Sequence, residues 1–241
     1  RPSLVEISMA RENRSPHPRR LLLRSTPLLA LPVWRASHAE LSQSDAGSGV
    51  RALLEKGAVA AVESLGVTDG FLGNPAVRIP LPDSLKAARG AARLLGMDKQ
   101  FEELEVGINR AAEAAVPQAK ALLIDAARKI SVKDAIGIVR GGDDSVTRYF
   151  ESSAGAQIRE RFLPIVTKSI GKLGLAQKYD RIASQAGKLG LVREDQSSLD
   201  RFVTGKAVDG LFLMIAEKER ALRADPIGSG SAILKKVFGG S

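Results

Sequence analysis

Apolar side chains recur every three or four positions along most of the chain from residue 49 onward, and no long run alternates as a strand would. "GVRALLEKGAVAAVESLG" (49–66) has helical spacing and stops at Gly66, a natural helix terminator. Asp83 or Ser84 can cap "SLKAARGAARLLG", which stops at Gly96. From 98 to 116, Phe101, Leu104, Ile108, Ala112 and Ala115 share one face. Pro117 predicts a kink or restart before "QAKALLIDAARKI" runs on to about Ile130. Ser131 is expected to cap "VKDAIGIVR", Gly141-Gly142 to end it, and Asp143 or Asp144 to start "SVTRYFESS". "AQIRERFLPIVTKSIGKLG", with Pro164 inside, and "LAQKYDRIASQAGKLG" follow. The best-patterned helix spans about 196–223, where Leu199, Phe202, Val203, Leu211, Met214 and Ile215 form a stripe; "SAILKKVFGG" closes the chain.

One segment breaks the helical rhythm. "VTDGFLGNPAVRIPLPDSL" holds the turn signals Asp69-Gly70 and Gly73-Asn74-Pro75, and an extended "AVRIPLP". The pattern therefore predicts an all-α protein: a single irregular multi-helix bundle of about eight helices over residues 49–241, with one long Gly/Pro-containing loop. Residues 40–48, "ELSQSDAGS", read as a disordered polar lead-in.

The first 39 residues do not fit the bundle. Downstream of Met9, a suspected start, the basic "PHPRR" precedes the apolar "LLLRSTPLLALPVW" and a small-residue end in which Ser37 and Ala39 suit a cut after Ala39. That is the layout of a cleavable export signal, and Arg19-Arg20 before the apolar run resembles the twin-arginine kind. The expected product is a periplasmic or secreted protein with no integral membrane segment once the signal is removed.

The signal changes how charge and composition read. The formal net charge is +9, but seven Arg and two Glu within residues 1–39 supply +5 of it, leaving +4 on the remainder. No basic cluster interleaved with aromatics is present, so no nucleic-acid partner is expected. The chain has no cysteine, and its two histidines, His17 and His38, both precede the expected cut. A mature chain without imidazole or thiol has no Ser-His-Asp triad, no Cys or His metal site and no histidine-ligated haem, and no cofactor is implied.

The candidate chemistry lies in three stretches. In "NRAAEAA", alanine on nearly every side allows close helix approach, so Asn109, Arg110 and Glu113 read either as a polar ligand-gripping cleft or as a network fixing helix register. In "RGGDDSVTRYFE", the Gly-Gly and Asp-Asp pairs read as helix stop and cap, lacking the ligand spacing of a calcium loop. Thr147, Arg148 and Tyr149 remain as further lining of such a cleft. The loop at 67–85 reads equally as a binding loop or as one pinned by Phe71, Val77 and Ile79. Glu219 and Arg223, four residues apart, read as an exposed pair on a solvated face, worth about 0.3–0.5 kcal/mol.

"DGFLGNPAVRIPLP", "NRAAEAAVPQAK", "DAIGIVRGGDDSVTRYFE", "FLPIVTKSIGKLG" and "FVTGKAVDGLFLMIAEKERALRADP" occur in that order. Together they resemble the bacterial family known as domain of unknown function 4197, from about residue 50 to "ILKKVFG". The resemblance implies an exported helical protein and no particular reaction. It departs at "DPIGSGSAILKK", where Gly228 and Ser229 stand in place of an Arg-Thr pair.

The function expected from these readings is non-enzymatic: binding of an unknown small molecule or envelope protein in a polar interhelical cleft. One alternative is a glycosidase- or transglycosylase-like hydrolase with Glu113 as general acid and Asp144, Asp134 or Glu217 as its partner. The other is a purely structural or oligomer-forming module, a reading that gains if the Leu199–Ile215 stripe is exposed.

Overall fold

Helices account for every regular element among the described residues, 41–188 and 198–239 of a computed structural model. The expected leader through Ala39, with both histidines, lies outside them. In chain order the elements are α1 (Gln43–Leu65), α2 (Asp83–Leu94), α3 (Asp98–Lys129), α4 (Ala135–Val139), α5 (Ser145–Lys172), α6 (Leu175–Lys188), α7 (Leu199–Ala224) and α8 (Ala232–Phe238).

Several boundaries differ from the pattern-based expectation. Residues 43–48 are not a disordered lead-in but the first turns of α1. Ser42 Oγ accepts from Asp45 N at 3.0 Å, and Ala46, Gly47 and Gly49 are buried, so small residues without an apolar stripe still form a packed helix start. Pro117 and Pro164 do not divide their helices, and α3 and α5 run through them for 32 and 28 residues. Both rings are exposed while Val116 and Ala119 beside Pro117, and Phe162 and Val166 beside Pro164, are buried, so packing on either side of each proline holds the helix continuous. Ser131 caps nothing; Asp134 does so, accepting from Gly137 N at 3.0 Å, and α4 shrinks to five residues.

The four long helices make the core. α1 and α5 each pack against both α3 and α7, while α2 and α6 lie against α3, α4 joins α1 to α5, and α8 lies on α1. Leu53, Leu54, Phe101, Ile108, Phe150 and Phe162 are fully enclosed, and Phe150 meets Phe212 edge-to-face at 5.6 Å. Most of the Leu199–Ile215 stripe is buried in this core, with Phe202 and Met214 at its margin. It is therefore no free association surface. No described helix is long and apolar enough to cross a membrane.

Close approach of α8 depends on a glycine. A Cβ on Gly49 would stand 2.7 Å from Val237 Cγ2 and 2.9 Å from its Cβ, so α8 would have to move. Gly49→Ala is expected to cost about 1–3 kcal/mol by overpacking. Gly171→Ala, in open space within α5, is its control and is expected to gain about 0.5–1 kcal/mol from helix propensity. Urea denaturation of the two variants checks the difference in sign.

Candidate functional site

The helix α3 presents Asn109 and Glu113 one turn apart toward the irregular segment 67–82, and both are buried. The segment cannot form a ladder of its own, so its amides need partners. Asn109 supplies a peptide-like pair: Oδ1 accepts from Ile79 N at 2.9 Å and Nδ2 donates to Ile79 O at 2.8 Å. Nδ2 also donates to Glu105 O at 2.8 Å, so both of its N–H groups are used. Glu113 Oε1 accepts from Phe71 N and Leu72 N, each at 3.1 Å, and Oε2 accepts from Arg110 Nη1 at 2.7 Å. Arg110 Nη2 reaches Asp69 Oδ1 at 2.8 Å, and Asp69 sits at φ 66°, a left-handed backbone uncommon outside glycine. The carboxylates of Glu113 and Asp69 raise Arg110 above its ordinary pKa.

These bonds fasten both ends of the loop, and apolar contacts hold its middle. Phe71, Val77, Ile79 and Leu81 are buried. A Cβ on Gly210 of α7 would lie 2.9 Å from Phe71 Cε1, so the absence of a side chain there makes room for the ring. The polar residues of "NRAAEAA" thus anchor the loop, with the bonds of Asn109 and Glu113 directed to groups of the chain itself.

The other three candidates do not join them. Thr147 is buried and donates from Oγ1 to Glu219 Oε2 at 2.7 Å. Arg148 is exposed and pairs with Asp144 at 3.0 Å, and the Tyr149 hydroxyl donates to Ser131 O. Among the carboxylates proposed for hydrolysis, Glu113 is enclosed by three N–H donors, Asp134 caps α4, and Asp144 is shared by Arg148 and Arg220. Arg110 borders a surface hollow on α3 beside Leu173 and Lys178.

The pair read as a solvated face proves to be the most buried charge in the described structure. Glu219 is 0% exposed and the Arg223 side chain 14%. Asp144 stands before α5 without a side-chain cap bond, and Glu219 of α7 takes over that task. Its Oε1 accepts from Val146 N at 3.0 Å and its Oε2 from Thr147 N at 2.7 Å, so a negative charge meets the positive end of the helix. Arg223 donates from Nε to Glu219 Oε1 at 2.9 Å, from Nη1 to Val139 O at 2.7 Å, and from Nη2 to Ser145 Oγ at 2.9 Å. Its guanidinium also lies 4.8 Å from the Phe238 ring centroid, tying α8 to the same node. A signal was available in the sequence: Leu211, Ile215, Glu219 and Leu222 follow helical spacing, which puts Glu219 on the apolar stripe.

Beside this node lies a hollow of about 720 Å³ between the α4–α5 turn, α7 and α8. Arg140, Arg220 and Arg223 border it together with Asp143, and Val139 and Phe238 supply apolar wall. Arg220 reaches Asp144 only at 3.6 Å, and neither the Arg140 nor the Asp143 side chain has a partner among the described residues. In a second hollow, between α1, α3 and α7, Glu55 pairs with Arg128 at 3.0 Å, and Glu63 meets Lys120 only at 3.7 Å. Charges without a described partner also border the other hollows, Lys56 and Lys218 in the second and Lys99, Glu102, Glu103 and Lys178 beside Arg110; the arginine-rimmed hollow differs in gathering three guanidiniums.

No curated protein and no solved structure matches the chain. The sequence profile of one family, protein of unknown function DUF4197, matches residues 40–239, which spans every described helix. The chain belongs to the DUF4197 family.

Proposed function

We propose that this is an exported, non-enzymatic binding protein of the periplasm or cell exterior, and that its ligand-taking surface is the arginine-rimmed hollow rather than the Asn109–Glu113 helix. Export is supported by the basic, apolar and small-residue succession through Ala39. The observation that carries the binding reading is Arg140, without a side-chain partner among the described residues, at a concave surface beside two further guanidiniums. Such a surface suits an oxyanion, because planar guanidinium forks match carboxylate and phosphate oxygens. The buried Glu219 neutralises Arg223 and fixes its direction, so this wall of the hollow is organised before a ligand arrives.

The test is to express the full chain in a bacterium, recover it from the periplasmic fraction, and identify co-purifying small molecules by mass spectrometry. The expected result is an anionic species whose occupancy falls at least about tenfold in Arg140→Ala/Arg220→Ala, a loss of roughly 1.4 kcal/mol. Retention of the full chain in the cytoplasm would overturn export. Equal occupancy in the double variant would overturn the hollow as the binding surface.

A further inference from the structure

We infer that the hollow recognises a zwitterionic phosphate, a phosphate group with an ammonium a few bonds away; this rests on the hollow being the binding surface. Two charges of opposite sign are left over there. Arg140 and Asp143 both border the hollow, and neither side chain is bonded to any described residue, including each other. They flank a turn closed by Gly141 N donating to Ile138 O at 3.2 Å and Ser145 N donating to Gly142 O at 3.0 Å. A ligand complementary to that wall carries both signs.

The anionic end falls to the arginines. Arg220 is held only by the 3.6 Å approach to Asp144 and by nothing else described. Arg223 places Nε and Nη2 on Glu219 Oε1, Nη1 on Val139 O and Nη2 on Ser145 Oγ, which leaves one of a guanidinium's five N–H groups unused. Three guanidiniums around one space suit a tetrahedral oxyanion with several terminal oxygens better than a single planar carboxylate. Asp143 disfavours a ligand that brings only negative charge, because it adds a like charge to the same wall, and it offers an acceptor to an ammonium. Val139 and Phe238 can cover the short methylene link between the two groups.

O-phosphoethanolamine is the probe, compared with inorganic phosphate and ethanolamine by isothermal titration calorimetry on the purified protein. O-phosphoethanolamine is expected to bind at least about tenfold more tightly than phosphate, equivalent to about 1.4 kcal/mol. Asp143→Asn should erase that preference while phosphate binding persists, and Arg140→Ala should weaken both ligands about tenfold. Both side chains are exposed, so unchanged circular dichroism and Tm are expected of these variants. Co-sedimentation with phosphatidylethanolamine vesicles separates the two sources of this chemistry. Vesicle binding lost in both variants assigns the headgroup of a lipid, and calorimetric binding without vesicle binding assigns a soluble phosphate ester. Phosphate binding as tightly as O-phosphoethanolamine overturns the zwitterion inference and leaves the hollow as an anion site. If Arg140→Ala alters binding of no probe, soluble or vesicle-borne, the hollow itself is not the binding surface.

Discussion

Glu219→Ala is expected to lower unfolding stability by about 3–5 kcal/mol, the range found when one partner is removed from a buried ion pair. For a domain of this size that corresponds to a Tm lower by roughly 10 °C. The magnitude follows from what the carboxylate does at one point. Val146 N, Thr147 N and Thr147 Oγ1 lose their acceptor in a buried setting, and the first turn of α5 loses its cap. Arg223, 14% exposed, loses its counter-charge while Val139 O and Ser145 Oγ hold it in place. Glu219→Gln separates the two contributions. It keeps the volume and one acceptor oxygen but turns an amide N–H₂ toward donors, so a smaller loss is expected. Urea denaturation followed by far-UV circular dichroism measures both. A loss below about 1 kcal/mol for Glu219→Ala would mean that the pair contributes no more than a surface i,i+4 contact.

Glu113→Ala has the second-largest expected effect, about 2–3 kcal/mol, because the amides of Phe71 and Leu72 lose their shared acceptor where water has poor access. The damage should be local. Hydrogen exchange at Phe71 and Leu72 is expected to accelerate while amides of the enclosed parts of α5 and α7 keep their protection. Asn109→Ala should do the same at Ile79, and Asn109→Asp should rescue little, because a carboxylate cannot donate to Ile79 O or Glu105 O. Unchanged exchange in these variants, with a bound ligand lost, would restore the cleft reading of "NRAAEAA". Unchanged ligand occupancy with faster exchange is the outcome the bonding predicts.

The alternation of apolar and polar positions was sufficient to read the helical class, the bundle, most helix positions and the one irregular segment. Those features depend on local spacing and on turn residues such as Gly66, Gly96 and Asp69-Gly70, which act within a few positions of themselves. Boundaries failed where the deciding partner was remote in the chain. The start of α1 rests on small residues packing against other helices, and the continuity of α3 and α5 on the buried residues either side of Pro117 and Pro164.

The candidate residues divide in the same way. "NRAAEAA" was legible as polar groups among close-packing alanines, and Asn109 and Glu113 are indeed enclosed, but the loop amides they hold lie 30 to 42 positions away in the chain. Spacing on one helix cannot distinguish a side chain aimed at a ligand from one aimed at a loop amide. Glu219 shows this more sharply: spacing along α7 puts it on the apolar stripe one turn from Arg223, but only the arrival of the α5 N-terminus, 72 and 73 positions earlier, makes it a helix cap. The sequence by itself determined that the chain would be helical and which faces would be apolar. Tertiary structure alone decided which charges were consumed inside the bundle and which, such as Arg140 and Asp143, were left facing a hollow, because hydrogen-bond satisfaction is settled between segments brought together by folding.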